Sequence, residues 1–136
     1  AAVWKQIHAL GERFHRADVI VFSVPMWNFG VPYRLKHLID SVSQRGVLFD
    51  FDDKGMVGLL KGKKVVVLAT RGVALGEDYP TFDHQVAFLR TWARMVGIPA
   101  IDTVGSEGTL GDAATAEANF NAALDAAAKL ARTLTS

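Results

Sequence analysis

A doubly wound α/β sheet is the fold this sequence predicts, and three observations predict it. Helix-type and strand-type segments alternate from one end of the 136 residues to the other. Two of the strand segments are unbroken apolar runs, the pattern of strands packed between layers of helices. Half of the residues are apolar and 21% are charged, enough to bury one core and too hydrophobic for a disordered chain. The length fits one domain, 1–136.

Each element has its own justification. Residues 2–16 place Val3, Ile7, Leu10 and Phe14 at helical spacing. Residues 18–24 form a β-branched run without polar alternation, expected to be covered on both faces. After Gly30, Pro32 suits a first helical turn, and Leu35, Leu38, Ile39 and Val42 make an apolar stripe away from Arg34, Lys36 and Asp40. Residues 45–63 read as a loop long enough to need a functional reason, with Phe49 and Phe51 among Asp50, Asp52, Asp53 and Lys54.

A second buried-type strand follows at Lys64–Thr70, then a glycine-containing loop and a helix over 81–96 with Phe82, Val86, Leu89, Ala93 and Val96 on one face. Gly97 stops that helix and Pro99 lies just beyond. A shorter strand covers 100–104. Asp112 caps a last, Ala-rich helix whose stripe is Phe120, Leu124, Ala127, Ala131 and Leu134. Three strands make a narrow sheet where about five or six are usual, so an earlier strand and helix are expected to precede the opening helix.

Composition narrows the function. Fifteen Lys and Arg against fourteen Asp and Glu leave a net charge of +1, no field to attract nucleic acid or an anionic membrane. The chain has no cysteine, which removes disulfides, thiolate metal sites and a Cys nucleophile. No apolar run approaches the roughly 20 residues of a membrane span. The first residues mix apolar side chains with Lys5, Gln6, His8, Glu12 and Arg13, unlike a secretory leader, so a cytoplasmic location is expected. None of His8, His15, His37 and His84 has the partner spacing of a metal ligand, and no metal is expected.

In doubly wound sheets ligands sit beyond the carboxyl ends of the strands. The loop after the first strand, Pro25-Met26-Trp27-Asn28-Phe29-Gly30, puts two aromatics and an amide where ordinary polar surface would suffice. The loop after the second, Thr70-Arg71-Gly72-Val73, is a glycine turn that brings backbone N–H groups to whatever binds there. A flat conjugated ligand with a hydrogen-bonding edge, such as an isoalloxazine ring, suits both. Taken singly, the aromatics also read as core at a strand end, Gly72 as a turn residue and Asn28 as a helix-entry cap. Phe49 and Phe51 either face substrate or pin their loop to the body or a partner. His84, at a helix start, is the histidine placed to contact nicotinamide or substrate.

The string ADVIVFSVPMWNFGVPYRLKHLIDSVSQRGVLFDF, followed by GLLKGKKVVVLATRGV and DHQVAFLRTWARMVGI, resembles the FMN-dependent NADH-azoreductase family of the flavodoxin-like fold, alongside the NAD(P)H:quinone reductases. The resemblance implies that Pro25, Met26, Trp27, Asn28 and Phe29 hold the flavin ring and that Thr70, Arg71, Gly72 and Val73 lie at its polar edge. It implies that Phe51, with Phe49 nearby, covers the open flavin face at a homodimer interface. Trp27 stands where Tyr is commoner. Val73 replaces a second glycine, and a β-branched residue resists positive φ, so either that turn is reshaped or the contact at that amide is lost. The family's first strand and Ser-rich phosphate loop have no counterpart in this string.

The implied activity is ping-pong hydride transfer, with NADH or NADPH as donor and a quinone or azo compound as acceptor. Two other functions compete with it: a non-catalytic binding or assembly module with an unpaired edge at residues 18–24, and a flavodoxin-like electron carrier.

Overall fold

The computed structural model describes residues 2–76 and 80–134. Four helices, α1 (Ala2–Arg16), α2 (Tyr33–Val42), α3 (His84–Met95) and α4 (Ala113–Leu134), alternate with five strands, β1 (Val19–Pro25), β2 (Phe49–Asp52), β3 (Gly55–Gly58), β4 (Lys64–Thr70) and β5 (Asp102–Ser106). Strands β1, β4 and β5 form a parallel sheet in the order β1-β4-β5, so the earliest strand lies at an edge and the central strand is β4. The register pairs Pro25 with Thr70, and Thr70 with Ser106, which brings the three carboxyl-terminal loops side by side.

The core lies on one side of this sheet. Ile20, Phe22 and Val24 of β1 and Val65, Val67 and Ala69 of β4 meet Ile39 and Val42 of α2 and Val86, Leu89, Trp92 and Ala93 of α3. Phe22 packs edge-on against Trp92 at 5.5 Å, and Phe14 of α1 joins from 6.0 Å. The Trp92 indole N–H donates to Ser43 Oγ at 2.9 Å, so its polar end is satisfied where the ring is buried.

The structure corrects several sequence expectations. The 45–63 loop contains an antiparallel hairpin, β2 paired with β3, with Phe49 opposite Gly58 and Phe51 opposite Met56. The alternation Phe-Asp-Phe-Asp is a strand signal, but three aspartates and a glycine within the six residues 50–55 outweighed it. The helix expected over 81–96 opens later: Pro80–Phe82 is a 3₁₀ turn and α3 starts at His84 behind an Asp83 cap, because the Asp83 carboxylate accepts from Gln85 N and Val86 N.

Strand β1, expected to be covered on both faces, is covered on one, and Val21 is 56% exposed. Helix α4 contributes no fully buried side chain, and Phe120 and Leu124 of its expected core stripe stand half exposed. Apolarity tells that a strand or helix can be covered, whereas coverage depends on the layer that lies over it. No helix among the described residues is long and apolar enough to cross a membrane.

Two exposed aspartates carry a pH signature. Hydrogen bonding from Arg45, then from the Phe51 amide, holds Asp50 below its ordinary pKa of 3.8. Thr115 does the same for Asp112 at the start of α4, first through its side chain and then its amide. A lowered folded-state value stabilises the fold above the unfolded value and loses that contribution as pH falls through the folded one. The melting temperature is therefore expected to hold from pH 7 to about 5 and to fall below 3.8. In the variant Asp50→Asn/Asp112→Asn this acid slope flattens, as thermal unfolding across the pH range will read.

Candidate functional site

The candidate site starts where β1 and β4 end. Met26 N donates to the Thr70 carbonyl at 2.8 Å, tying the first loop to the second at their roots. The chain then turns back in two residues: Trp27 N donates to Gly30 O and Gly30 N to Trp27 O, both at 3.0 Å. Both central residues are left-handed, Asn28 at φ 47° and Phe29 at φ 68°. This is a mirror-type tight turn, which normally takes Asn or Gly at both positions. Asn28 fits, whereas a bulky residue such as Phe29 costs about 1–2 kcal/mol there. Strain of this kind persists where the surroundings over-determine it, and it concentrates at functional sites.

What the turn achieves is presentation. Trp27 is 54% and Phe29 50% exposed, and among the described residues the N–H groups of Asn28 and Phe29 have no acceptor. The Phe29 ring leans on Phe82 at 5.3 Å, and His84 N donates to the Phe29 carbonyl at 3.0 Å. Pro25 is exposed and Met26 half-buried at the base.

Replacing Phe29 with glycine separates strain from use. Relief of the left-handed cost offsets the lost contact with Phe82, so thermal stability is expected to change by less than about 0.5 kcal/mol. A flat conjugated ring seated on this turn is expected to bind about ten-fold more weakly with the lost apolar surface, as a fluorescence titration will read.

The second loop keeps to ordinary backbone, as a β-branched residue at 73 requires. Gly72 and Val73 run without positive φ, so the β-branched residue there carries no strain and Val73 simply stands exposed. Gly72 lies close under the Leu110 side chain: a Cβ there would lie 2.7 Å from Leu110 Cδ1, at the far end of an exposed side chain. The loop is fastened to β5 and its following turn, with Arg71 N donating to Ser106 O at 2.9 Å and Leu110 N to Gly72 O at 3.0 Å. Among the described residues the N–H groups of Gly72 and Val73 have no acceptor. Thr70 stands exposed at the strand end.

The Arg71 side chain, expected at the ligand edge, turns inward. It is 11% exposed and clamps two carboxylates, Asp83 Oδ2 at 2.7 Å and Glu107 Oε1 at 2.6 Å. Its Nε donates to Gln85 Oε1 at 3.1 Å. One guanidinium fork thus joins the loops after β4 and β5 to the start of α3. Asp83, Gln85 and Glu107 lie 12, 14 and 36 residues from Arg71, and no sequence periodicity connects them. The Asp83 cap ahead of an apolar helix was the one local signal.

The remaining expected residues divide. His84, expected to contact nicotinamide or substrate, joins the 25–30 loop through its backbone, and its exposed side chain borders an open cavity with Val31, Lys36, Ala87, Phe88 and Thr91. Phe49 and Phe51 share one face of the hairpin, their rings edge-on at 5.8 Å. Arg45 lies over Phe51 at 5.7 Å and its Nε meets Asp50 Oδ1 at 2.8 Å. Phe51 and Met56 are both half exposed on the hairpin. Within the described residues the structure does not bring this hairpin into hydrogen-bonded contact with either ring-presenting loop. No group of three or more His, Asp or Glu among the described residues is arranged for a metal ion.

Two aromatic faces, a Met and four N–H groups that have no acceptor among the described residues, at adjacent strand ends, fit a flat, conjugated, carbonyl-bearing ring. A family model described as flavodoxin-like fold matches residues 1–131. The chain is 82% identical over 132 residues to FMN-dependent NADH:quinone oxidoreductase 2 of Pseudomonas syringae pv. tomato, covering 96% of this chain and 63% of that protein. The azoreductase of Bacillus anthracis str. Sterne superimposes with a TM-score of 0.87 at 30% identity, over 97% of this chain and 64% of that one. The FMN-dependent NADH-azoreductase of Bacillus anthracis str. Ames Ancestor, solved in complex with FMN, superimposes with a TM-score of 0.81 at 25% identity, over 95% and 63%. The chain spans less than two thirds of the length of each of these relatives.

Proposed function

We propose, from the premise that this chain belongs to the flavodoxin-like fold family, that it carries the ring-binding part of an FMN-dependent NAD(P)H oxidoreductase acting on quinones or azo compounds. The observation that carries the reading is the strained turn at Asn28 and Phe29, which exposes two rings and two unpaired N–H groups together. The names of the relatives, an NADH:quinone oxidoreductase and two azoreductases, support the same chemistry.

FMN bound here supplies the two-electron relay between NADH and the acceptor. Met26, Trp27 and Phe29 give the ring an apolar bed and keep water from its face. The Asn28 side chain and the N–H groups of Asn28, Phe29, Gly72 and Val73 would hold the polar edge of the bound ring and would favour added negative charge there. Over a full turnover NADH, a proton and a quinone give NAD⁺ and a hydroquinone, so electrons and protons balance without a nucleophile from the protein. In this reading Phe51, exposed on the hairpin, acts across a homodimer interface, with Phe49 and His84 bordering the acceptor. The protein works in the cytoplasm in this reading.

The test is steady-state oxidation of NADH by a quinone in the presence of saturating FMN and the purified chain. Parallel double-reciprocal lines above the rate of free FMN are expected, and a rate equal to free FMN overturns the proposal. A second reading, an assembly module, draws on β1, whose ladder runs to β4 alone among the described residues. Light scattering separates them: open-ended association without flavin binding favours the module, whereas flavin binding by a defined dimer favours the enzyme.

A further inference from the structure

We infer that Gln85 is a positioning residue that couples the two loops of the candidate site, so that neither turn holds its geometry without the other. Gln85 is fully buried, and a buried amide needs both of its ends satisfied. Its Nε2 donates to the Val24 carbonyl at 2.8 Å, directly before the Pro25–Gly30 turn. Its Oε1 accepts from Arg71 Nε at 3.1 Å, inside the second turn. One side chain therefore spans from the end of β1 to the loop after β4.

Neighbouring groups stiffen the bridge. Gln85 N donates to Asp83 Oδ1 at 3.1 Å, while Oδ2 of the same carboxylate holds Arg71 at 2.7 Å. Glu107 takes the other prong of the fork and also accepts from Leu75 N at 3.3 Å. A leucine or methionine of similar volume would fill the space at position 85, so packing alone does not call for an amide. What an apolar side chain cannot do is hold a carbonyl of one loop and a guanidinium of the other at once.

The coupling is a statement about the protein with or without ligand; that its purpose is to present a flavin-ring site rests on the function proposed above. The experiment is amide hydrogen exchange on the whole chain and its Gln85→Met variant, with FMN and riboflavin titrations on both. Exchange is expected to quicken about ten-fold at Met26, Trp27 and Gly30 and equally at Arg71 and Leu110, with Val65–Leu68 unchanged. Both flavins are expected to lose the same factor, about ten-fold, and the visible circular dichroism of bound FMN to change shape.

Val86→Ala serves as a control that removes buried volume one residue away without touching the bridge. Should Gln85→Met not fold, Gln85→Asn keeps the amide one methylene too short to reach both partners and is expected to loosen at least one turn and weaken both flavins. Exchange that quickens evenly through the sheet, in one turn only under Gln85→Met, or no more than in Val86→Ala overturns the coupling. Coupled exchange in a wild-type chain that binds neither flavin leaves the bridge standing and removes the flavin reading. Flavin binding unaffected by a Gln85→Met chain with unchanged exchange does the reverse.

Discussion

Gly58→Ala is expected to destabilise the chain by about 3 kcal/mol and to lower its melting temperature by roughly 10 °C. Gly58 ends β3 against the carboxyl terminus of α3, and a Cβ there would fall on backbone atoms, Val96 C and Gly97 N and Cα. Backbone cannot rotate aside as a side chain can. Gly97 is itself left-handed, φ 101°, and its neighbour Val96 accepts from Leu60 N at 2.7 Å, so the helix end is held in place. The hairpin must therefore lift from α3. Gly72→Ala is the contrast: its Cβ would meet only the tip of Leu110, which is 82% exposed and free to swing out. Thermal unfolding of the two variants side by side should show the first strongly affected and the second within about 0.5 kcal/mol of wild type.

Arg71→Met is expected to cost about 2 kcal/mol. A fully exposed ion pair contributes up to about 1 kcal/mol, and removing one partner of a buried pair costs about 3–5. Here the guanidinium is 11% exposed and the carboxylates of Asp83 and Glu107 are 27% and 33%, which places the loss between these limits. The variant leaves two carboxylates facing each other and Gln85 Oε1 without its donor. Lysine at this position is expected to recover less than half, since one ammonium cannot reproduce three N–H directions to three acceptors. Urea unfolding of Arg71→Met and Arg71→Lys measures both values. An Arg71→Met variant as stable as wild type would mean that the clamp is a surface pair.

The parallel sheet was legible because its strands declare themselves locally. Lys64–Thr70 is read from five consecutive apolar residues flanked by lysines and threonine, and Ala2–Arg16 from its helical spacing, and both hold to the residue. The hairpin was missed because Phe49, Phe51 and Met56 sit among turn-forming residues that individually argue for a loop. In the site, the 25–30 segment follows β1 as the sequence placed it, and Trp27 and Phe29 stand exposed there. Arg71 pointed the other way because its direction is set by Asp83 and Glu107, distant in sequence and adjacent only once the strands are in register. Gln85 gave no signal at all, as a glutamine at a helix start ordinarily faces water.

The central claim, that the loops after β1 and β4 hold a flavin ring, is tested most directly by titrating the chain and its Asn28→Ala variant with FMN and with riboflavin, following quenching of flavin fluorescence. Riboflavin shares the ring and lacks the phosphate. The wild-type chain is expected to quench both flavins, and Asn28→Ala to weaken both by the same factor, about ten-fold. Quenching of neither flavin, or affinities that Asn28→Ala leaves unchanged, would contradict the claim.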